Sequence, residues 1–537
     1  MGAALGGCAA LAALSLLYPS TPANDPWTWL VWGREVGHLD LDTSAGAAWK
    51  PLPVTVTTLV APLGGAAPDI WLLLARTGSL FALVLAFCLA FRLTRGGDER
   101  PAGLATAVAA GILAATALAL LADSTGQNGL ADRSWVRYGA FGTSEGLLVA
   151  LILGGIHRHL DGNRMQALLL GCLASLLRPE VWPFLILYAA FVWTREPARR
   201  PLLVSLVVSV PILWIVPPWL GSGDPFGAGS EAVASVREHG IASGPRMALE
   251  RARGLLPLPV HLAALVAVVA AARRRERVVL ALAAAAAAWI VGSALATLGS
   301  YPAVARFLIP PAALICVLGG VGAARIARFL GGGWRGLAVT GALALAAVPF
   351  ATARVRALPE SVRGSAKRAS VEHDLRTVIE RTGGRSRVLA CGRPAVIGEI
   401  THGRGGELVG RPSWVAPSLA WLLEVGVADV VGNPAPGRVL FLATRRQILG
   451  RLSRPRGRDM RPGRGKPPST HRIAAYGRWQ VFVLGESRAS RHCRTGPRPT
   501  RDGASLPRSS AGRWSAGEAG IGSATLAASE VALPPRP

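Results

Sequence analysis

The chain has 537 residues, 51% of them hydrophobic, with a mean hydropathy of +0.38, and long Ala/Leu/Val runs recur as far as residue 353. A purely soluble protein is excluded, and a mainly α polytopic membrane protein is indicated. The formal charge of +27 is almost wholly arginine, since only Lys50, Lys367 and Lys466 are lysines; no aromatic-basic repeat accompanies it, so no nucleic-acid partner is expected.

In chain order, apolar runs near 3–18, 70–93, 102–122, 140–156, 165–177, 179–193, 201–220, 257–272, 278–298, 303–324 and 336–353 predict about 11 transmembrane helices. With the amino terminus in the cytoplasm, loops 92–100, 157–164, 194–200, 273–277 and 325–335 lie inside. All five carry clustered basic residues, as the positive-inside rule requires. The opposite loops, 19–69, 123–139, 221–256 and 299–302, are longer or more acidic, so function is expected to face outward. A cleaved signal peptide competes with a retained first helix, because Thr21-Pro-Ala23 approaches a cleavage site; the retained helix is preferred. Cys8, Cys88, Cys172 and Cys316 lie in apolar spans and act as small hydrophobes, whereas Cys391 and Cys493 follow the last span and can pair in an oxidising compartment.

Beyond residue 353 the pattern changes. Residues 354–370 form a basic connector, and 371–382 read as an amphipathic helix with apolar positions 371, 375, 378 and 379. Residues 387–390 and 438–443 read as strands, 418–425 as a helix and 473–483 as a strand pair around Gly477. The expected organisation is a membrane domain over 1–353, a small extracytoplasmic α/β domain over 354–485 and a disordered basic tail over 486–537, with a second disordered stretch at 454–470.

Candidate chemistry lies in the outer loops. Asp25, Glu35, Asp40 and Asp42 fall close together and are followed by Trp49-Lys-Pro-Leu-Pro53. A carboxylate at the membrane boundary suits a general base for a sugar hydroxyl, because partial desolvation tunes its pKa. Asp40 and Asp42 read as solvated loop acids; Asp25 differs, placed between a helix end and Trp27, Trp29 and Trp32. Those tryptophans either anchor the interface or stack on sugars, and the sequence leaves both open. Ser144-Glu145 opens a later span, and Arg178-Pro-Glu180 breaks the run between two short ones. Arg178 either bridges to Glu145 or Glu180 or reaches a phosphate. Arg306, within Gly299-Ser-Tyr-Pro-Ala-Val-Ala-Arg-Phe-Leu-Ile-Pro-Pro311, either snorkels to headgroups or holds a phosphate by several donors.

Taken in order, these segments resemble the GT-C superfamily of polytopic glycosyltransferases, nearest to actinobacterial integral membrane proteins with an Asp-x-Trp-x-Trp-Leu-Val-Trp-Gly-Arg-Glu segment. The resemblance covers about residues 1–353. It implies transfer of a sugar from a polyprenyl-phosphate donor to a cell-envelope glycan or lipid acceptor on the outer face, usually with inversion. It implies Asp25 as the catalytic carboxylate and Arg306 beside the donor phosphate; Glu35, Trp49, Lys50, Glu145, Arg178 and Glu180 are expected to bind substrate. No cofactor is required. A divalent metal stays open as an alternative without support, weakened because Asn24 precedes Asp25 where some members carry a carboxylate pair; Asp123 and Asp132 remain open as a second carboxylate. A transporter or assembly scaffold is the alternative, and a ligase of whole lipid-linked polymers would share the fold. The enzyme requires Asp25, Arg178 and Arg306 around one outward site, whereas a transporter requires a polar path through the bilayer.

Overall fold

Apolar runs in a membrane must satisfy their backbone internally, so helices dominate. The computed structural model describes residues 1–485 and Cys493, apart from 47–48, 96–100, 125–133, 228–243, 300, 302–303, 331–332, 403–407, 413–414, 433–436 and 444–469. The helices are α1 (Gly2–Ser15), α2 (Asn24–His38), α3 (Pro51–Val60), α4 (Ala67–Arg95), α5 (Pro101–Ala119), α6 (Trp135–Ala140), α7 (Glu145–Leu160) and α8 (Arg164–Ser175). They continue as α9 (Trp182–Arg195), α10 (Arg200–Ser222), α11 (Pro245–Gly254), α12 (Leu258–Arg274), α13 (Arg277–Ala296), α14 (Ile309–Phe329) and α15 (Gly333–Arg381). All belong to one compact unit, Met1–Arg494.

Fewer helices than the eleven expected spans have the length of a full crossing. Among the described residues, four are long and apolar enough, over Pro51–Arg95, Pro197–Ser222, Arg277–Gly299 and Ala305–Phe329, or five if α11 and α12, bent by 97°, count as one. Most of the others fall short of the roughly 20 residues a straight crossing takes, whereas α15, which carries the expected span 336–353, has 49. α8 and α9 have 12 and 14 residues because Pro179 cannot extend the hydrogen-bond ladder of α8. α1 has 14 residues and packs Cys8 and Ala12 inward.

The core is centred on α14, which is buried along nearly its whole length between α4, α5, α12 and α13. Gly320 and Gly322 make this approach achievable: a Cβ at either would strike the backbone carbonyl of Ala110 or Ala263 on the facing helix. The two ends of the bundle differ in chemistry. At one end the basic loops hold one another. Arg92 pairs with Asp161 and donates to Leu160 O (2.7 Å), Arg164 pairs with Glu196 (3.0 Å), Arg325 pairs with Glu276, and Arg328 donates to Thr94 O (2.7 Å). The five loops that the positive-inside rule groups together are thus joined in contact, and Glu145 begins α7 at the opposite end.

α15 runs without a break from Gly333 to Arg381, so the expected connector at 354–370 is helical and continuous with the amphipathic segment, whose Val371, Leu375, Val378 and Ile379 are buried as their spacing predicts. It leads to α16 (Gly384–Cys391) and a five-stranded sheet of β1 (Arg393–His402), β2 (Leu408–Pro412), β3 (Arg438–Ala443), β4 (Thr470–Tyr476) and β5 (Trp479–Leu484), with α17 (Ala416–Leu423) packed on it. The sheet order is β2-β1-β3-β5-β4, with β1 and β3 parallel and the other pairs antiparallel. The expected strand at 387–390 is helical instead: Val388 and Cys391 turn one face of α16 into the layer's core, and the first strand begins after Gly392. The strand at 438–443, the helix at 418–425 and the strand pair around Gly477 are present. Cys391 and Cys493 form a disulfide. The stretch 454–469 and the tail from 486, Cys493 excepted, lie outside the described residues.

Candidate active site

α2 begins at Asn24 after the extended Ala23, so Asp25 falls in its first turn, where a carboxylate faces the positive end of the helix dipole. Arg306 lies in a short helical turn, Ala305–Leu308, that feeds α14. Its Nη1 donates to Asp25 Oδ2 at 2.8 Å, with the two side chains 33% and 24% exposed. The two groups therefore touch rather than face each other across a gap.

Behind this pair lies a buried network. Arg178 Nη2 donates to Glu145 Oε1 at 2.8 Å, and its Nη1 stands 3.5 Å from Glu180 Oε1, which also accepts from the Tyr301 hydroxyl at 3.1 Å. Phe307 lies under both guanidiniums, with its ring centroid 4.3 Å from Arg178 and 5.6 Å from Arg306. Lys50 Nζ donates to Ser144 Oγ at 2.7 Å and stands 5.0 Å over the Trp29 ring. Burial, reinforced by Arg178, pushes Lys50 down to about 8, and Glu145, Arg306 and Asp25 all act on it electrostatically. Lys50, Arg178 and Arg306 are thus gathered with Asp25, Glu145 and Glu180 at one end of the bundle. Arg178 Nε, Arg306 Nε, Glu145 Oε2 and Glu180 Oε2 are buried without a hydrogen bond.

Glu35 and Trp49 are not part of this assembly. Trp49 is buried, donates its indole N–H to Leu213 O (3.1 Å) and packs on Trp32 (centroids 5.5 Å apart), so it fills core space rather than meeting a ligand. Glu35 accepts from the Asp42 N–H (3.1 Å) on another face of α2, beside Gly426, and burial pushes its carboxyl up to about 7. Of the candidates for a second carboxylate, Asp123 is buried just past α5 and Asp132 lies outside the described residues. Among the described residues, no three His, Cys, Asp or Glu side chains gather as metal ligands would.

Sequence reasoning missed the contribution of α15. Arg368 and Arg137 place their guanidinium carbons 5.5 and 4.5 Å from the Phe141 ring centroid, and Arg368 interacts electrostatically with Glu372, Arg137 and Asp25. Glu372, one turn on, accepts from the Thr21 hydroxyl and from Trp27 Nε1 (3.0 Å), clamping the chain on both sides of Asp25. Nothing in a basic connector marks such a residue. Tyr301 and Phe307 were legible in principle, since both sit within the segment that carries Arg306.

A helical bundle with its charged assembly at one end, closed by a small α/β layer, is the fold of a polytopic membrane protein. The solved structures it resembles include ArnT from Cupriavidus metallidurans, bound to undecaprenyl phosphate (TM-score 0.50) and in the apo state (TM-score 0.51). Each is 13% identical, and the match covers 92% of this chain and 98% of that one. By sequence, the chain matches no family model and no curated protein.

Proposed function

We propose that the protein is a membrane glycosyltransferase that moves a sugar from a polyprenyl-phosphate donor to an acceptor on the extracytoplasmic face. The observation that carries this reading is the meeting of Asp25 with Arg306, at the end of the bundle opposite the basic loops, with Lys50 and Arg178 close behind. The likeness to a protein that binds undecaprenyl phosphate supports the donor class. The positive-inside rule supports a cytoplasmic face at the basic loops, and the Cys391–Cys493 disulfide fits an oxidising compartment for the α/β layer.

In this mechanism the donor phosphate exchanges with Asp25 at Arg306, whose planar guanidinium offers paired donors to a phosphate. The released Asp25 carboxylate then takes the proton of the acceptor hydroxyl. The acceptor oxygen bonds to the anomeric carbon as the bond from that carbon to the phosphate oxygen breaks, and one displacement inverts the centre. Arg306, with Lys50 behind it, stabilises the charge that develops on the leaving polyprenyl phosphate. Positioning and electrostatics suffice for such a leaving group, so no step requires a metal.

The test is Asp25→Asn, assayed for sugar transfer from a polyprenyl-phosphate sugar by membranes that contain the variant at wild-type abundance. Loss of transfer by about 100-fold or more is expected. Transfer at near the wild-type rate sinks the assignment of Asp25.

A further inference from the structure

A cleft of about 630 Å³ opens between the end of α2, the Ala61–Ala66 turn, the end of α15 and α17. It is not an extension of the Asp25 site. Asp25 and Arg34 are separated by about two and a half helical turns, so their side chains leave opposite faces of α2.

The cleft is lined by Arg34, Arg376 and Arg385, with His38 beside them. Two carboxylates oppose them: Glu424, paired with Arg385, and Glu380. Arg34 is held in place by donating to the carbonyls of Trp421 (3.3 Å) and Val425 (2.7 Å); Glu35 attracts it, and Arg385 stands close enough to repel it more weakly. Like charges held together in a recess are relaxed by an anion. Glycines 37, 64, 65 and 384 also line the cleft, and a Cβ at any of them meets nothing within 4 Å, so a ligand has access to bare backbone.

The second observation is apolar. Leu39, Leu59 and Leu63 follow the cleft residues His38, Thr58 and Pro62 directly and are 95%, 75% and 56% exposed. Leu39 holds a left-handed backbone (φ 60°) at the end of α2, a conformation that turns its side chain outward. Leucines presented this way are unfavourable in water and favourable against acyl chains. The turn that carries Leu63 leads straight into α4, part of a membrane-crossing segment, so apolar side chains and guanidiniums follow one another as hydrocarbon and headgroup do.

We propose that this cleft binds the phosphate of an anionic glycerophospholipid from the adjacent leaflet, with acyl chains along Leu39, Leu59 and Leu63, independently of the Asp25 site. The test counts bound lipid by native mass spectrometry on the full-length protein in detergent, given phosphatidylglycerol or phosphatidylcholine. Wild type should retain phosphatidylglycerol over phosphatidylcholine by about tenfold. Arg376→Gln with Arg385→Gln should abolish that preference; both side chains are exposed, so the fold tolerates the change. Leu39→Asn, which suits the left-handed backbone, combined with Leu63→Asn should weaken phosphatidylglycerol binding severalfold without creating affinity for inorganic phosphate. A preference that survives in the arginine variant overturns the site. Inorganic phosphate that displaces the lipid at equal concentration, together with leucine variants that bind like wild type, overturns the lipid in favour of a free anion. Asp25→Asn should bind phosphatidylglycerol as wild type does, so failure of the transferase reading leaves this result untouched.

Discussion

Asp25→Asn should make the protein bind polyprenyl phosphate more tightly even as transfer is lost. The reason is the 2.8 Å contact from Arg306 Nη1 to Asp25 Oδ2, which occupies the cation that the donor phosphate is proposed to use. A hydrogen bond between charged groups is worth about 1.5–3 kcal/mol. The partial exposure of both side chains, 33% and 24%, moves this pair toward the lower value of solvent-screened bridges, about 1–2 kcal/mol. The phosphate must break that bond before it engages Arg306, so removing the carboxylate's charge should lower Kd by roughly 5- to 30-fold. The lost repulsion between carboxylate and phosphate acts in the same direction. The assay is equilibrium binding of a labelled polyprenyl phosphate to purified wild type and variant in one detergent, with melting temperatures as the control for folding. A folded Asp25→Asn protein that binds no tighter than wild type refutes the exchange of partners at Arg306.

Glu145→Gln and Arg178→Gln should each cost about 3 kcal/mol of stability, because either change removes the nearest counter-charge of a buried group, whereas the double variant should lose less than the sum; additive losses in denaturant midpoints would show that the 2.8 Å pair is not coupled. Burial raises the Glu372 carboxyl from its ordinary 4.5 to about 7. The folded state thus holds its proton more tightly, and the associated stability, on the order of 3 kcal/mol, is present at acid pH and lost as pH rises from 4.5 through 7. Melting curves across that window should show this slope in wild type and a flatter one in Glu372→Gln; equal slopes refute it. Replacing Cys391 and Cys493 by Ser should destabilise the α/β layer by about 2–4 kcal/mol, seen as faster limited proteolysis, and reductant should have the same effect on wild type but none on the variant.

Much of the fold was legible because it follows from local pattern. Long apolar runs, basic loops and the 3.6-residue spacing of Val371, Leu375, Val378 and Ile379 each reflect physics that acts over one or two turns. The strand expected at 387–390 failed for the complementary reason: Val388, Leu389 and Ala390 form an apolar run too short to distinguish strand from helix, and packing of α16 on the layer decides the matter. The site was half legible. Asp25, Lys50, Glu145, Arg178, Glu180 and Arg306 stand out as ionisable residues at span ends, where charge is costly unless it is used or paired. Glu35 and Trp49 belong to the same outer segment, yet Trp49 fills the core and Glu35 stands beside Gly426 of the α/β layer. Nearness to Asp25 in sequence does not by itself place a side chain in its site.

α2 is the element through which the two halves of the protein act on each other. One face brings Asp25 to Arg306, and the other brings Val31 into the core shared with Val371, Leu375, Leu419 and Phe441 of the α/β layer. α15 grips the same helix start through Glu372 and Arg368 and continues into that layer. Removing the layer would therefore expose Val31 and Trp27 and free the first turn of α2, so the carboxylate would lose its fixed approach to Arg306 although no residue of the charged assembly had changed. The basic connector expected at 354–370 is part of an unbroken α15, and a rigid helix transmits the position of the layer to Asp25 as a coil would not.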